Sequence, residues 1–300
     1  MQNFYTKLDH LDLICVTGKD SELFLQGQLS CDVNALSDPG ACPGCLCDNK
    51  GRVIASFTLW HISDCYYLEL SEDMAEIVLP HLKKYSVFYK TELSKSESRF
   101  LRYALAGELA RLELGKLFPA TPFTDGLTLV KNGLILHIHQ LQQNQFELWI
   151  DTQVAVETDI ALLDTLETAP FSAWQRLEID RGFYHLQLED SGLYTPQELN
   201  YDLLGHVSFT KGCYTGQEIV ARMHYRGKAK KRLHKILIET ESKPARQQKI
   251  IDSSNKAIGE VIQSLEISSE QYVALMVSAS PEDRPLKLEN SPNALVSFIN

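Results

Sequence analysis

One cysteine of this chain, Cys213, lies in a segment whose residue types suit thiol chemistry, Lys-Gly-Cys-Tyr-Thr-Gly-Gln-Glu at residues 211–218. Thr215 and Glu218 have the spacing of a capping box, which predicts that a helix begins at Thr215, two residues after the thiol. The positive end of that helix and the ammonium of Lys211 would both stabilise a thiolate. The segment therefore predicts a reactive thiol or ligand at Cys213. The alternative is a buried structural cysteine in a glycine-punctuated turn.

A second group of cysteines comprises Cys42, Cys45 and Cys47, with Cys31 upstream. The spacing C-x2-C-x-C offers three thiolates to zinc or an iron–sulfur cluster, with Cys31 as a conceivable fourth ligand. Four-cysteine sites usually pair two C-x2-C motifs, and this sequence has only one. We therefore expect no metal site here and predict a loop with incidental thiols.

Two histidines, His137 and His139, fall two residues apart in a predicted strand and so share one of its faces. Two imidazoles in that arrangement can hold a metal together. No carboxylate or cysteine lies near them in the sequence. We therefore predict exposed strand histidines.

Positive charge is concentrated just after residue 218. Between Glu218 and Glu239 no acidic residue occurs, while basic residues accumulate: Arg222, His224, Arg226, Lys228, Lys230, Lys231, Arg232, His234 and Lys235. Arg222 and Arg226 lie one turn apart on a predicted helix and can face one anion. The run predicts an anion-binding site, and its alternative is a solvated helix end.

Composition bounds the class of protein. The chain has 300 residues, 44% hydrophobic and 23% charged, which suits two or three globular domains. The net charge of −10 argues against a protein that coats nucleic acid non-specifically. We see no signal peptide and no apolar run near the roughly 18 residues that a membrane span needs. We therefore expect a cytoplasmic monomer whose seven cysteines remain thiols or bind a ligand.

The hydrophobic pattern indicates strands and helices without a regular βαβ alternation, which favours an α+β fold. We predict a strand at 11–16, a helix at 20–29, a hairpin of 52–61 with 66–70, and a helix at 71–84 interrupted near Pro80. A second group follows: strand 99–105, helix 107–117, a hairpin turning at Asn132-Gly133 within 126–139, strand 145–150 and helix 152–167. From about residue 233 short alternating segments predict a small β-barrel.

The segment at 211–218 resembles the K-G-C-Y-x-G-Q-E signature of the YgfZ-type family of folate-binding proteins, which are relatives of the glycine cleavage T-protein. The matching residues are Lys211, Gly212, Cys213, Tyr214, Thr215, Gly216, Gln217 and Glu218. Further similarity lies at 17–29, at 47–52, at 174–183 and at 196–200, so it spans roughly residues 8 to 235.

This resemblance implies the T-protein arrangement of three domains around a central folate channel. We accordingly predict a folate-binding core at 1–95 and 168–230, an α+β domain at 96–167 and a small β-barrel at 231–300.

The resemblance also implies a site for tetrahydrofolate or another folate. The tryptophan that matches Trp174 lines the folate site in the family, and Asp180 takes the position of a T-protein glutamate that contacts the pterin. Leu11 stands where some YgfZ-type proteins have another folate-lining tryptophan. The shorter carboxylate and the missing aromatic ring both lower the affinity that we expect.

Three functional hypotheses follow from the resemblance. The first is a folate-binding protein that supports iron–sulfur enzymes, including those that thiolate tRNA, with Cys213 as nucleophile, ligand or redox sensor. The second is a folate-dependent aminomethyltransferase. Because the chain resembles aminomethyltransferases but has the YgfZ-type cysteine signature, whether it is an enzyme stays open. The third is a tRNA-binding protein without folate chemistry. In this third case the basic residues at 222–235 would bind tRNA directly. Independently of the three hypotheses, the anion at this site can be a folate's polyglutamate tail, an RNA backbone or the acidic face of a partner.

Overall fold

The structure, a computed structural model, describes residues 3–96, 99–119, 123–139, 144–154, 157–227, 229–279 and 285–299. The α-helices of this part of the chain are α1 (Ser21–Gln28), α2 (Ala75–Ser86), α3 (Glu108–Leu117), α4 (Phe171–Asp180) and α5 (Gln217–Arg226). Its strands are β1 (Phe4–Lys7), β2 (Asp12–Thr17), β3 (Gly40–Cys47), β4 (Val53–Ile62), β5 (Cys65–Leu70), β6 (Glu92–Lys95), β7 (Phe100–Ala106), β8 (Thr128–Lys131), β9 (Leu134–Ile138), β10 (Gln145–Asp151), β11 (Glu167–Thr168), β12 (Arg232–Glu239), β13 (Lys249–Ile251), β14 (Ala257–Ser268), β15 (Gln271–Ser278), β16 (Leu286–Leu288) and β17 (Ser291–Phe298).

The first sheet has the strand order β3-β4-β5-β2-β6, and its neighbouring strands are antiparallel. β4 and β5 form the predicted hairpin, whose turn residues Ser63 and Asp64 both have positive φ. Helices α1 and α2 bury Phe24, Leu25 and Val78 in the same hydrophobic core as the strands. This sheet therefore anchors α1, whose C-terminal end meets the segment at 211–218.

The second sheet has the order β11-β1-β7-β10-β9-β8. The predicted hairpin of β8 and β9 turns at Asn132 and Gly133, both with positive φ. β1 pairs with β7 and β11, although our predicted domain boundaries group residues 1–95 with the first sheet.

The two sheets pack against each other through aromatic side chains. Trp60 of β4 and Trp149 of β10 are both fully buried, with ring centroids 4.2 Å apart. Beside them, Arg102 of β7 pairs with Glu69 of β5 at 2.8 Å, and both side chains are buried. The interface therefore has an apolar half and a polar half.

Strands β12 to β17 close into a six-stranded barrel, as predicted. The alternation of apolar residues in β12 and β15 places Ile236, Ile238, Ala274 and Met276 in the barrel core. The α+β fold and the barrel are thus confirmed.

Three local predictions are wrong. Residues 40–47 form strand β3 rather than a loop, and Pro43 is tolerated there because β3 is at the edge of its sheet. Helix α2 begins at Ala75 rather than Ser71 and continues through Pro80. Residues 157–165 form a 3₁₀-helix, whereas an α-helix was predicted over 152–167; residues 155 and 156 lie outside the described part.

Candidate functional site: a buried polar cavity and the loop at 211–216

A cavity of about 340 Å³ lies at the polar half of the interface between the two sheets. Its walls come from β3, β4, β9, β10, the end of α4 and the segments that follow. The lining residues include His137, His139, Glu147, Glu178, Asp180, Arg181, Phe183, His185 and His206. Titratable side chains therefore converge here from parts of the chain that are far apart in sequence.

Helix α4 carries one wall of this cavity. Trp174, Glu178 and Arg181 are spaced by four and three residues, so they project from the same side of the helix and its C-cap. Trp174 is buried, and its ring contacts that of His139 edge-on with centroids 5.3 Å apart. The Arg181 guanidinium lies 5.8 Å from the Trp174 ring centroid and 5.9 Å from that of Phe183.

Glu178 and His185 form a buried ion pair, with His185 Nε2 3.0 Å from Glu178 Oε1. Burial alone would raise the pKa of Glu178, but the charge and hydrogen bond of His185, together with the charge of Arg181, lower it overall. Burial likewise opposes protonation of His185, yet Glu178 outweighs it and raises the pKa of His185. The pair therefore favours the ionised carboxylate and the protonated imidazole.

Two buried carboxyl groups, those of Glu69 on β5 and Glu147 on β10, face each other across the sheet interface. Burial and the charge of Glu147 raise the pKa of Glu69 to about 8, although Arg102 lowers it. Burial also raises the pKa of Glu147, while its hydrogen bond with Glu69 acts in the opposite direction. Both carboxyl groups therefore favour their protonated forms. Glu147 Oε1 lies 2.8 Å from His139 Nε2.

His137 and His139 are buried or nearly so, which makes the prediction of exposed strand histidines wrong. Burial lowers the pKa of both residues to about 3, with a contribution from His139 at His137 and from Arg181 at His139. Burial and the charge of His185 lower the pKa of His206 to about 3 as well. These three imidazoles are neutral at pH 7.

The residues predicted from the resemblance take different places around the cavity. Asp180 lines it, but its side chain is 40% exposed and pairs with Arg176 on the outer side of α4. Trp174 stands behind the wall. Leu11 packs into the same small core as Trp174, and its carbonyl accepts a hydrogen bond from Arg102 at 2.5 Å.

The loop at 211–216 is fixed to the end of α1. The buried ammonium of Lys211 donates to the carbonyls of Gln26, Leu29 and Cys31 at 2.9, 2.6 and 2.7 Å. Burial lowers the pKa of Lys211. Its first role is therefore to tie the loop to the core, since three backbone carbonyls already surround the charge that we expected beside the thiol.

The helix after this loop begins at Gln217 with Gly216 as its N-cap, so the predicted capping box at Thr215 is wrong. Thr215 donates its backbone N–H to the carbonyl of Gly27 at 3.2 Å instead. The Gln217 side chain reaches back to the backbone N–H of Tyr214 at 3.2 Å. A long-range contact has displaced the local cap.

Cys213 is exposed on this fixed loop, which excludes the alternative of a buried structural cysteine. Cys213 is not among the described residues that line the cavity. Arg222 and Arg226 are exposed on α5 and form no ion pair with any described residue. Arg232, by contrast, is paired with Asp202 at 2.6 Å.

Sequence reasoning missed Glu178, Arg181, His185 and His206. The available signal was helical: Glu178 and Arg181 follow Trp174 at positions i+4 and i+7 and so share its face. No comparable signal marks His185 or His206, which lie in segments without regular structure.

Neither a metal-binding cluster nor a membrane-spanning helix is found within the described ranges. No group of three or more His, Cys, Asp or Glu side chains there has an arrangement that could hold a metal ion. Among the same residues, no helix is long and apolar enough to cross a membrane.

The chain is similar in sequence to YgfZ proteins and in structure to an aminomethyltransferase. The chain is 30% identical over 302 residues to the tRNA-modifying protein YgfZ of Colwellia psychrerythraea, covering 99% of this chain and 92% of that protein. It is 33% identical over 228 residues to the protein of the same name from Photorhabdus laumondii, covering 76% and 68%. The glycine cleavage system aminomethyltransferase T of Bartonella henselae has a similar structure, with a TM-score of 0.80 and 16% identity over 99% of this chain and 85% of that one. No family model matched.

Proposed function

The chain belongs to the family of the tRNA-modifying protein YgfZ, and we propose that it binds a reduced folate in the cavity between its two sheets. The observation that carries this proposal is the cavity itself. Its volume of about 340 Å³ is within the range of small-ligand sites, and a few polar groups converge in it beside the Phe183 ring. The family resemblance, which implies tetrahydrofolate or a related folate, supports the same ligand.

We further propose that the folate-bound protein supports iron–sulfur enzymes that act in tRNA modification, through the thiol of Cys213. The support is its position: the thiol is exposed, while the loop that carries it is fixed by Lys211. An exposed thiol on a fixed loop can reach a cluster or a thiol of another protein with little loss of conformational entropy.

Calorimetric titration with tetrahydrofolate under nitrogen tests folate binding. We expect saturable 1:1 binding by the native protein. Ala41 is partly buried in the cavity wall, so Ala41→Phe should fill the cavity and reduce the affinity at least about tenfold. Ala257→Phe, on the exposed end of a barrel strand, is the control. Absence of saturable binding by the native protein would reject the proposal.

Complementation of a strain that lacks the native protein tests the thiol. Cys213→Ala should lose support of a tRNA-thiolating iron–sulfur enzyme while keeping its folate affinity and its thermal midpoint. Cys65→Ala, which removes a partly buried thiol, should complement fully. Full complementation by Cys213→Ala would show that this thiol has no such role.

A second candidate function is direct tRNA binding, which the surface of α5 favours. Arg222 and Arg226 are exposed on it, and the rings of Phe209 and His224 stack nearby at 3.7 Å. Double replacement of these arginines by alanine should weaken tRNA binding and reduce the log–log salt slope by about 1.4 to 1.8. The exposed pair Lys83 and Lys84 on α2 is the matched control. A salt-independent affinity would reject direct binding.

A further inference from the structure

An apolar surface is exposed where helix α2 ends. The side chains of Phe88, Val87 and Tyr85 are 90%, 70% and 40% exposed. They follow one another around the last turn of α2 and its C-cap, Val87. A single exposed apolar residue is ordinary, but several large ones at one place mark an interaction surface.

This turn is fixed by contacts with the start of α1, so the exposure of its side chains does not result from a loose segment. The backbone N–H of Lys90 donates to the Asp20 carboxylate at 2.8 Å, and the N–H of Asp20 donates to the carbonyl of Lys90 at 3.3 Å. The ring of Tyr89 packs on the buried ring of Phe24, with centroids 5.3 Å apart. A partner therefore meets an apolar patch that is already ordered, which lowers the entropic cost of binding.

Helix α1 connects this patch with the loop of Cys213. Its N-cap, Asp20, bonds to the turn after α2, and its carbonyl at Gly27 accepts from Thr215 at the other end. The eight residues of α1 span about 12 Å. Leu23, which is 66% exposed, and Gly27 are four residues apart and so share a face of α1. A Cβ at Gly27 would meet nothing within 4 Å, so this face is open between the patch and the loop.

Unpaired positive charge surrounds the same surface. The exposed lysines at the end of α2 and beside the start of α1 are Lys19, Lys83, Lys84 and Lys90. The described lysines that form ion pairs are Lys95, Lys116 and Lys249, so none of those four pairs with a described carboxylate. Asp20 is occupied by the turn, and Glu22 accepts from the hydroxyl of Tyr66 at 3.4 Å. On a chain of net charge −10, this local excess of lysine matches an acidic partner.

We propose that this docking surface, which comprises Leu23, Tyr85, Val87, Phe88 and the four lysines, binds the protein partner that meets Cys213. The inference rests on the proposed function, in which that partner is an iron–sulfur enzyme of tRNA modification. The partner presents an apolar pocket for Phe88 with carboxylates around it. An interface of ordinary size covers about 800 Å² on each protein, a patch roughly 30 Å across, so one partner covers both the docking surface and the thiol.

A protein fits this surface better than a membrane or a nucleic acid. The net charge of −10 repels anionic lipid at longer range, although the four lysines attract it locally. Leu23 and Val87 have no planar face on which a base could stack. An apolar centre with a charged rim is the usual anatomy of a protein–protein interface.

Titration with a purified tRNA-thiolating iron–sulfur enzyme tests the docking surface. Phe88→Ser should lower the affinity at least about tenfold, because an aromatic side chain at the centre of an interface contributes much of the binding energy. Leu112→Ser, at a 58% exposed position on α3, is the control and should bind like the native protein. Both variants should keep the native thermal midpoint and folate affinity. Equal affinities of the native protein and Phe88→Ser would overturn the inference.

A second variant blocks the open face of α1 without removing any side-chain contact. Gly27→Gln should lower the affinity for the enzyme at least about tenfold, while the exposed Cys213 thiol still reacts with a small aromatic disulfide at the native rate. Gly115→Gln on α3 is the matched control, because a Cβ there also meets nothing within 4 Å. Native affinity in Gly27→Gln would show that the partner does not cover α1, which contradicts the inference.

Charge reversal tests the rim. The double change Lys83→Glu with Lys84→Glu should weaken binding of the enzyme and reduce its dependence on ionic strength. The control Lys256→Glu with Lys287→Glu alters the net charge equally at exposed positions of the barrel. Equal losses in the two double variants would mean that the net charge matters and the position of the lysines does not, which rejects the acidic partner site.

The outcomes separate this inference from the proposed function. Failure of Cys213→Ala to complement, together with native behaviour of Phe88→Ser, would leave the thiol function standing and reject the docking surface. Full complementation by Cys213→Ala, together with loss of enzyme binding in Phe88→Ser, would reject the thiol function and keep the docking surface.

Three further results would overturn the inference. The first is absence of any binding between the native protein and the enzyme. The second is self-association in sedimentation velocity that Phe88→Ser abolishes, which would assign the surface to a second copy of this chain. The third is retention of the native protein, but not of Phe88→Ser, by vesicles of phosphatidylcholine and phosphatidylglycerol, which would assign it to a membrane.

Discussion

At the scale of single residues, the position of an ionisable group decides what its charge does. Lys211 stands two residues from Cys213 in the sequence, yet its ammonium is buried and bonded to three carbonyls of the α1 end. The charge therefore stabilises the loop, and the reactivity of the thiol depends on its exposure and on what approaches it.

Lys211→Met should remove this link and leave buried carbonyl groups unpaired. Leaving such acceptors unpaired costs about 1–3 kcal/mol each, so we expect a loss of about 3 kcal/mol or more in the free energy of unfolding. Urea denaturation measures it, with the exposed Lys50→Met as the control. An unchanged urea midpoint would show that the three hydrogen bonds contribute little.

The burial of His137 and His139 is a feature that the sequence does not predict. The alternation within a strand predicts that His137 and His139 share a face, and they do line the same cavity. It does not predict what covers that face, because the covering residues come from α4 and from the segment around His206. Both histidines were therefore assigned to the surface, and their buried, neutral state could not be predicted.

At the scale of elements, the start of α5 depends on the turn at 48–51. Gly216 has a φ of 84°, and a Cβ there would lie 2.3 Å from the carbonyl oxygen of Asp48. Only glycine satisfies both the left-handed backbone and this close approach. The residue types of the signature therefore serve in part to dock one element on another.

Gly216→Ala should destabilise the protein by about 1–3 kcal/mol, since it adds backbone strain and a steric clash. Gly212→Ala is a matched control from the same loop, because a Cβ there meets nothing within 4 Å, and it should change the stability by no more than about 0.5 kcal/mol. Thermal or urea unfolding compares the two variants. Equal effects would mean that the approach to Asp48 is not constraining.

Element-level prediction succeeded where a signal was local. The Asn132-Gly133 turn follows from residue types that tolerate positive φ. The hairpin of β4 and β5 follows from β-branched and aromatic residues on both sides of Ser63-Asp64, and the structure confirms both hairpins. The capping box failed because the backbone of Thr215 bonds to Gly27, nearly 190 residues away in the chain. Such a tertiary contact outweighs a cap of about 1 kcal/mol, and spacing alone does not reveal it.

At the scale of the whole molecule, the buried histidines make stability depend on pH. The pKa values of His137, His139 and His206 are lowered to about 3, so the unfolded chain binds their protons first as the pH falls below 6.5. Each one therefore adds a stability slope of about +1.4 kcal/mol per pH unit between pH 3 and 6.5. Glu69 and Glu147, whose pKa values are raised, each contribute the opposite slope above pH 4.5.

Three histidines outweigh two carboxylates, so the free energy of unfolding should fall by about 1.4 kcal/mol per pH unit or more between pH 6.5 and 4.5. Urea titrations at several pH values measure this slope. His206→Asn keeps a donor for the carbonyl of Leu204 and should reduce the slope by about 1.4 kcal/mol per pH unit. A slope of zero in the native protein would contradict the buried neutral state.

The overall architecture was predictable at this scale, while the cavity was not. The barrel and the α+β class follow from strand spacing and from the resemblance at residues 8–235, and the structure confirms them. The cavity combines side chains from Ala41 to His206, so its composition depends on how two sheets and one helix meet. No pattern within a single element contains that information.

The placement of the three tryptophans gives the protein separate optical reporters. The rings of Trp60 and Trp149 lie 4.2 Å apart at the sheet interface, tilted by 36°, so their excited states couple and their near-ultraviolet circular dichroism follows the distance between the sheets. Trp174 stands apart from that pair, behind the cavity wall, where its ring lies near His139 and Arg181. An occupied cavity would therefore alter the emission of Trp174 while the dichroism of the pair stays constant, which distinguishes binding from a shift of the two sheets.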